Sequence, residues 1–181
     1  MVVHSSERLV GAVVVMGVCG CGKSTIGRGI AARLGCSFLE GDELHPPANV
    51  AKMSRGIPLQ DGDRWPWLDA IGVALGSAAH ASGSAVAACS ALKRVYRDRL
   101  SAAAGMPIRY VHLAGTRELL SARMSARKDH FMPTSLLDSQ LATLEPLQPD
   151  ETAVVIDVAW PPERQIEAGV EWLERARQAG G

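Results

Sequence analysis

The clearest chemistry in this sequence lies in residues 17–24, which read GVCGCGKS and match the pattern G-x-x-x-x-G-K-S/T. Glycines in such a segment let the backbone bend so that successive N–H groups point inward at phosphate oxygens. Lys23 would then reach the β- and γ-phosphates of a nucleotide, and the Ser24 hydroxyl would bind Mg²⁺. We predict a nucleotide-phosphate site here; the alternative is a glycine-rich turn that binds no phosphate.

The segments on either side of this loop are suited to positioning it. Residues 9–16 are valine-rich and uninterrupted, which predicts a strand buried on both faces. Residues 23–34 carry Ile26, Ile30 and Leu34 at four-residue spacing, which predicts a helix with an apolar stripe. The positive end of that helix dipole would face the loop and favour an anion.

The rest of the chain alternates between predicted strands and helices. Four further strands are predicted at residues 36–40, 84–89, 108–113 and 152–158. Helices are predicted at about residues 46–54, 65–81, 91–104, 116–126 and 136–144 and from residue 161 onward, with Asp63 and Thr116 as caps. This alternation predicts one α/β domain over residues 1–181, with a five-stranded parallel sheet covered by helices on both faces.

Composition and charge exclude several other classes of protein. Of the 181 residues, 47% are hydrophobic and 21% are charged, which suits a compact domain rather than a disordered chain. Nineteen basic residues balance nineteen acidic ones, so bulk electrostatic binding of nucleic acid is not expected. The longest apolar stretch, residues 9–21, is shorter than the roughly 20 residues that cross a bilayer. It also lacks a signal cleavage site, so we expect a cytoplasmic protein without a membrane partner.

Four cysteines are too few for a disulfide-dense scaffold in a chain of this size. Cys19 and Cys21 form a C-x-C pair, but no second pair of Cys or His stands at metal-ligand spacing. We therefore interpret them as small loop residues rather than metal ligands. Cys36 and Cys89 lie in apolar runs and are predicted to be buried strand residues.

Further segments along the chain resemble those of a known family. They read GDELHP at residues 41–46, DRWPW at 63–67, CSALKR at 89–94, RKDHF at 127–131 and QLATLEP at 140–146. Together with the phosphate loop, they resemble the small bacterial-type gluconokinases, which are relatives of shikimate and nucleoside-monophosphate kinases. The resemblance covers residues 13–157 and implies a P-loop kinase three-layer α/β/α sandwich with a small lid at about residues 123–140.

The resemblance implies ATP-dependent phosphorylation of D-gluconate at its terminal hydroxyl, giving 6-phosphogluconate and ADP with Mg²⁺ as cofactor. The implied ATP-binding residues are Gly17, Val18, Cys19, Gly20, Cys21, Gly22, Lys23, Ser24, Thr25, Arg123 and Arg127. The chain departs from the family pattern in two places without removing a phosphate-binding charge. Cysteines replace loop serines at 19 and 21, and Asp129 replaces a lid glycine. Relatives are often dimers, so a homodimer is a further expectation.

Gluconate is a small anion with several hydroxyls, so its site needs cationic donors and mixed polar groups. The segments after the second and third strands supply such a set, at the sheet edge where ligands bind: Asp42, His45, Arg64, Lys93 and Arg97. Because Lys93 and Arg97 are four residues apart in a predicted helix, we expect them to share one face. Purely local roles are the alternatives for Asp42, as a loop cap, and for His45, which precedes a proline.

The predicted catalytic residues are Lys23, Asp42 and Arg127. Asp42 is the candidate that orients the attacking hydroxyl, with deprotonation as an open alternative, because phosphoryl transfer depends mostly on alignment and charge neutralisation. Arg123 and Arg127 lie four apart on a predicted helix and are interpreted as the hinge side of a lid that closes over ATP. A solvated helix face is the alternative for this pair.

Two other functions fit parts of the pattern. One is a kinase for another small hydroxylated acid such as shikimate, although shikimate kinases usually show paired aspartates where this chain has GDELHP. The other is a non-catalytic module that senses ATP, for which a second polar site would be superfluous. An N-K-x-D segment that reads guanine is absent from the sequence, which argues against a GTPase.

Overall fold

A computed structural model of the chain describes residues 10–127 and 134–179. Its strands are β1 (Gly11–Met16), β2 (Ser37–Glu40), β3 (Ser84–Ala88), β4 (Ile108–Ala114) and β5 (Ala153–Asp157). They form one parallel sheet in the order β2-β3-β1-β4-β5. The predicted five-stranded parallel sheet is confirmed, with strand ends shifted by one or two residues.

Seven helices in the described ranges cover this sheet. They are α1 (Lys23–Leu34), α2 (Pro47–Ser54), α3 (Asp61–Ser82), α4 (Arg94–Ala104), α5 (Arg117–Ala126), α6 (Thr134–Thr143) and α7 (Pro162–Ala179), with a 3₁₀ turn at Gly41–Leu44. Side chains of the central strand β1 alternate between two apolar cores. Val13 and Val15 pack into the core that includes α1 and α7, whereas Val14 and Met16 pack into the core that includes α3 and α4. The two cores make β1 a strand buried on both faces, as its valine-rich sequence predicts.

Two helix starts differ from the sequence prediction. Helix α3 begins at Asp61 rather than near residue 65, and Asp63 lies inside its first turn, where it accepts the backbone N–H of Gln60 at 2.9 Å. Asp63 is therefore not the cap residue. Helix α4 begins at Arg94 rather than at residue 91, because Ala91 has a φ of 47° and Lys93 is extended. Thr116 caps α5 as predicted, by accepting the N–H of Leu119.

Arg97 corrects the predicted substrate site. Its side chain is 1% exposed, and its Nε and Nη2 atoms donate to the two carboxylate oxygens of Glu151 at 2.6 and 3.1 Å. Its Nη1 atom donates to the carbonyl oxygens of Ala91 and Leu92 at 3.1 and 3.2 Å. With its guanidinium bonded in this way, Arg97 presents no donor to a substrate. It ties the start of α4 to the segment before β5, and it does not share a helix face with Lys93.

The buried pair of Arg97 and Glu151 generates a stability prediction. Arg97→Met would leave the Glu151 carboxylate buried without its partner, so we expect the free energy of unfolding to fall by about 3–5 kcal/mol. The matched control is Arg99→Met, since Arg99 pairs with Asp69 at the surface, and about 1 kcal/mol or less is expected there. Urea unfolding of both variants measures the difference; equal losses would contradict a structural role for Arg97.

Candidate active site

The loop between β1 and α1 turns sharply, and its glycines make the turn possible. Gly17, Gly20 and Gly22 have φ angles of 145°, 81° and 92°, which side-chain-bearing residues rarely adopt. A Cβ atom on Gly17 would also lie 2.7 Å from the carbonyl oxygen of Leu113. The spacing of the glycines therefore matches the positions where this bend tolerates no side chain.

The main chain of this loop presents a set of N–H donors. Within the described ranges, no residue accepts a hydrogen bond from the N–H groups of Gly20, Gly22, Lys23 or Ser24. These groups lie at the start of α1, where unpaired N–H groups and the helix dipole favour an anion. Lys23 Nζ adds a positive charge and donates to the Val18 carbonyl oxygen at 3.1 Å. The arrangement suits a phosphate group.

Ser24 has an acidic partner that the sequence prediction left out. Its Oγ atom donates to Glu40 Oε2 at 2.5 Å, and Arg28 Nη2 lies 3.8 Å from the same oxygen. Glu40 ends β2, next to β3 in the sheet, which brings it to the loop although it is 16 residues away. No cluster of three or more His, Cys, Asp or Glu side chains that could hold a metal ion occurs in the described part of the chain. Ser24 Oγ and the Glu40 carboxylate together offer two oxygen ligands for Mg²⁺, and phosphate oxygens or water would supply the rest.

A cavity of about 280 Å³ adjoins the loop on the side of α5 and α7. Its lining combines loop residues with Arg123 and Arg127 from α5 and its end, and with Pro162 and Gln165 from α7. Arg123 Nη2 and Gln165 Nε2 both donate to the Val158 carbonyl oxygen, at 2.5 and 3.3 Å. Both predicted arginines are therefore brought to the loop, and Arg123 is held in place by the end of β5.

On the other side of the loop lie Asp42 and His45. Asp42 is exposed in the 3₁₀ turn that follows β2. The His45 ring stacks on Trp67 with 4.1 Å between ring centroids, and Trp67 Nε1 donates to the Gly41 carbonyl oxygen at 2.7 Å. Burial lowers the pKa of His45 despite the opposing charge of Asp42, so its imidazole is neutral at pH 7.

Arg64 and Lys93 meet around one aromatic ring. The Arg64 guanidinium carbon lies 5.6 Å and Lys93 Nζ 5.5 Å from the ring centroid of Tyr96. Lys93 Nζ contacts both Asp61 oxygens at 3.1 and 3.2 Å, and the Tyr96 hydroxyl donates to Asp61 at 2.5 Å. The hydrogen bonds from Tyr96 and Lys93 lower the pKa of Asp61. The sequence prediction missed Asp61 and Tyr96, although both lie within a few residues of Arg64 and Lys93.

The segment after β3 contacts the phosphate loop directly. Cys89 follows β3, the neighbour of β1, and its N–H donates to the Val15 carbonyl oxygen at 3.1 Å. The Gly17 N–H donates to the Ser90 carbonyl oxygen at 3.3 Å. Burial raises the pKa of the Cys89 thiol to about 12, so this thiol is uncharged at neutral pH.

A phosphate loop at the carboxyl edge of a parallel sheet, with a polar site beside it, defines a P-loop kinase. Residues 13–147 match a family model described as an AAA domain. The gluconokinase of Gluconobacter oxydans is 51% identical over 142 residues, which cover 78% of this chain and 79% of that protein. The thermosensitive gluconokinase of Escherichia coli is 45% identical over 147 residues, covering 80% and 78%. The chain belongs to the gluconokinase family.

Solved structures agree with this assignment. A gluconokinase from Sinorhizobium meliloti superposes with a TM-score of 0.86 at 47% identity, covering 95% of this chain and 96% of that one. Shikimate kinase from Aquifex aeolicus shares the fold, with a TM-score of 0.58 at 14% identity. The family assignment thus rests on sequence identity together with a matching backbone.

The predicted lid at residues 123–140 is described only in part. Helices α5 and α6 lie on either side of residues 128–133, which fall outside the described residues together with Asp129 and most of the RKDHF segment. The lid therefore stays a prediction. Among the helices that the structure describes, none combines the length and the apolar composition needed to cross a membrane.

Thiol chemistry gives a test of the loop geometry. Cys19 is half-buried, and burial raises its pKa despite the opposing charge of Lys23, whereas Cys21 is only 1% exposed. We expect iodoacetamide to modify Cys19 before Cys21 and to inhibit the enzyme. Because only the thiolate reacts, the rate should still rise above pH 9, and MgATP should slow it. Peptide mass spectrometry over time measures the rates.

Cys36 is the internal reference for this experiment. It is also half-buried with a pKa raised by burial, but it directly precedes β2, at the sheet edge opposite the phosphate loop. The prediction of a buried strand residue is therefore wrong for Cys36. MgATP should leave its rate unchanged. Full activity after confirmed modification of both loop cysteines, or a Cys19 rate indifferent to MgATP, would contradict nucleotide binding at this loop.

Proposed function

We propose that this protein transfers the γ-phosphoryl group of ATP to the terminal hydroxyl of D-gluconate, giving 6-phosphogluconate and ADP. The observation that carries the proposal is the pairing of an intact phosphate loop with an adjacent cationic and polar site, in a chain 51% identical to a gluconokinase. A site for a small hydroxylated acid needs those cations and polar groups, whereas a sensor of ATP alone does not. We expect the reaction to occur in the cytoplasm, and a homodimer stays a prediction.

The nucleotide side of the proposal rests on the loop and its two neighbours. The N–H groups at the start of α1 and the Lys23 ammonium would hold the β- and γ-phosphates. Ser24 and Glu40 supply the oxygen ligands for Mg²⁺, which neutralises phosphate charge when bound. Arg127, exposed at the end of α5 and lining the cavity, would add positive charge during transfer.

The cavity beside the loop is the proposed place for the nucleotide base. Its lining joins loop residues to Arg123, Arg127 and Gln165, so a base bound there would adjoin the phosphates held by the loop. Gln165 is 1% exposed, and its Nε2 atom is fixed by the carbonyl oxygens of Val158 and Trp160. ATP as the phosphoryl donor rests on the similarity to gluconokinases.

The substrate side rests on two cations beside one aromatic ring, of which Lys93 is also paired with Asp61. Arg64 and Lys93 flank the Tyr96 ring and would bind the carboxylate of gluconate. Neutral His45, stacked on Trp67, would bind a hydroxyl without adding charge. Asp42 is exposed, and although its main-chain carbonyl accepts the His45 N–H, its carboxylate bonds to no other described side chain and is available to orient the attacking hydroxyl. Alignment by these groups, rather than covalent chemistry, would drive the transfer.

A substrate panel tests this function directly. Protein with MgATP is incubated with gluconate, shikimate and other sugar acids, and ADP release is measured against Lys23→Ala as a negative control. Release with gluconate supports the proposal, and we expect it to be lost in the Lys23 variant because the phosphates lose their cation. Release only with another acid, or with none, would overturn it in favour of a different acid kinase or an ATP-sensing module.

Asp42 generates a second prediction. Asp42→Asn keeps the size of the side chain but removes its charge, so kcat should fall by about 10²–10⁴-fold while ATP affinity stays unchanged. Glu43→Gln is the matched control, since Glu43 is the exposed neighbour in the same turn and should retain full activity. Steady-state kinetics give kcat, and calorimetry with a non-hydrolysable ATP analogue gives the affinity. A drop in both variants would point to the turn rather than to the Asp42 carboxylate.

A further inference from the structure

The QLATLEP segment contains a side chain that the proposed function does not use. Gln140, near the end of α6, accepts the backbone N–H of Cys19 through its Oε1 atom at 2.7 Å. The donor is an amide N–H, so the orientation of the carboxamide is unambiguous. The bond joins residues 121 positions apart and connects the phosphate loop to α6, most of which lies within the predicted lid range of residues 123–140.

The two halves of the phosphate loop are anchored differently. Residues 22–24 lead directly into α1, whose packing fixes them. Cys19 stands between the flexible residues Gly17 and Gly20, so its backbone needs outside contacts to hold one conformation. Two contacts reach it from α5 and α6: Cys19 Sγ lies 3.6 Å from Met124 Sδ, and its N–H is bonded to Gln140.

Helix α6 is itself firmly placed, which makes it a useful anchor. Leu137 on α6 is completely buried, and Asp138 forms a two-pronged ion pair with Arg117 on α5. Neither contact involves Gln140, so the fold of α6 does not require this side chain. Its visible partner among the described residues is the loop N–H.

We propose that Gln140 is a positioning residue for phosphoryl transfer. It accepts the N–H of Cys19 and thereby fixes the first half of the phosphate loop relative to α6. The inference rests on the proposed function, since the position of the loop matters when it must align a phosphate with an acceptor hydroxyl. A neutral carboxamide suits this place, because it accepts the N–H without bringing a negative charge to the phosphates.

Two substitutions separate the hydrogen bond from the charge. Gln140→Met keeps the length of the side chain and removes the acceptor; we expect kcat to fall about tenfold, with the KM for gluconate within about twofold of the wild type. Gln140→Glu keeps an acceptor oxygen but adds a charge beside the phosphates, so we expect the KM for ATP to rise by about tenfold. Ser139→Ala, on the exposed neighbouring position, is the control and should behave as the wild type.

A second readout does not depend on activity. In nucleotide-free protein, iodoacetamide should modify Cys19 several-fold faster in Gln140→Met than in the wild type, because a loosened loop exposes the thiol. Gln140→Glu should restore the slow rate, and the rate at Cys36 should be the same in all variants. Thermal unfolding checks that each variant is folded, and Gln140→Ala replaces the Met variant if that one is not.

The outcomes are distinct. The positioning role is supported by two results together. The Met variant shows a lower kcat and faster Cys19 modification, and the Glu variant shows a slow Cys19 rate and a raised KM for ATP. Wild-type kcat together with a wild-type Cys19 rate in the Met variant would overturn it, as would parallel losses of kcat, substrate affinity and thermal stability. If the wild-type protein transfers no phosphate to gluconate, the proposed function fails, while the Cys19 rates still test the link between α6 and the loop.

Discussion

The whole site depends on one bend, the turn from the central strand β1 into α1. Because β1 is buried on both faces, close packing fixes the position of its carboxyl end, where the loop begins. Space is equally restricted at the turn, since Gly17 lies against the backbone at Leu113. Neighbouring strands β3 and β4 end at the same edge, so the residues that follow β3 face this loop without a long connection.

A buried arginine fixes the backbone that carries Lys93, one of the proposed substrate-binding residues. Arg97 binds the segment at Glu151 and the carbonyl oxygens just before α4, which holds Lys93 in extended backbone at the helix start. From there Lys93 reaches Asp61 at the start of α3. Arg97 is therefore the structural cation, and Lys93 is the one left to face the proposed site. Which of the two has which role depends on tertiary contacts rather than on spacing along the chain.

This dependence explains which features were predictable. The sheet and the phosphate loop follow from local signals: apolar runs, glycine spacing and a strand–loop–helix order. The expectation that Arg123 lies near the loop comes from the family resemblance instead. The helix start at Arg94 was not predictable, because the left-handed backbone of Ala91 has no residue-type signal. The contacts of Glu40 and Gln140 with the loop were not predictable for a related reason: each residue meets the loop only after the sheet and the helices have assembled.

The two loop cysteines depart from the family pattern without removing a hydrogen-bond donor for phosphate. Cys21 is buried and Cys19 turns its thiol toward Met124 on α5, so neither side chain takes the place of a phosphate ligand. The donors that a phosphate needs are backbone N–H groups and the Lys23 ammonium. Any small residue at positions 19 and 21 leaves these donors in place. What the residue at 19 must supply is an N–H in the right direction, and in this protein Gln140 fixes that direction.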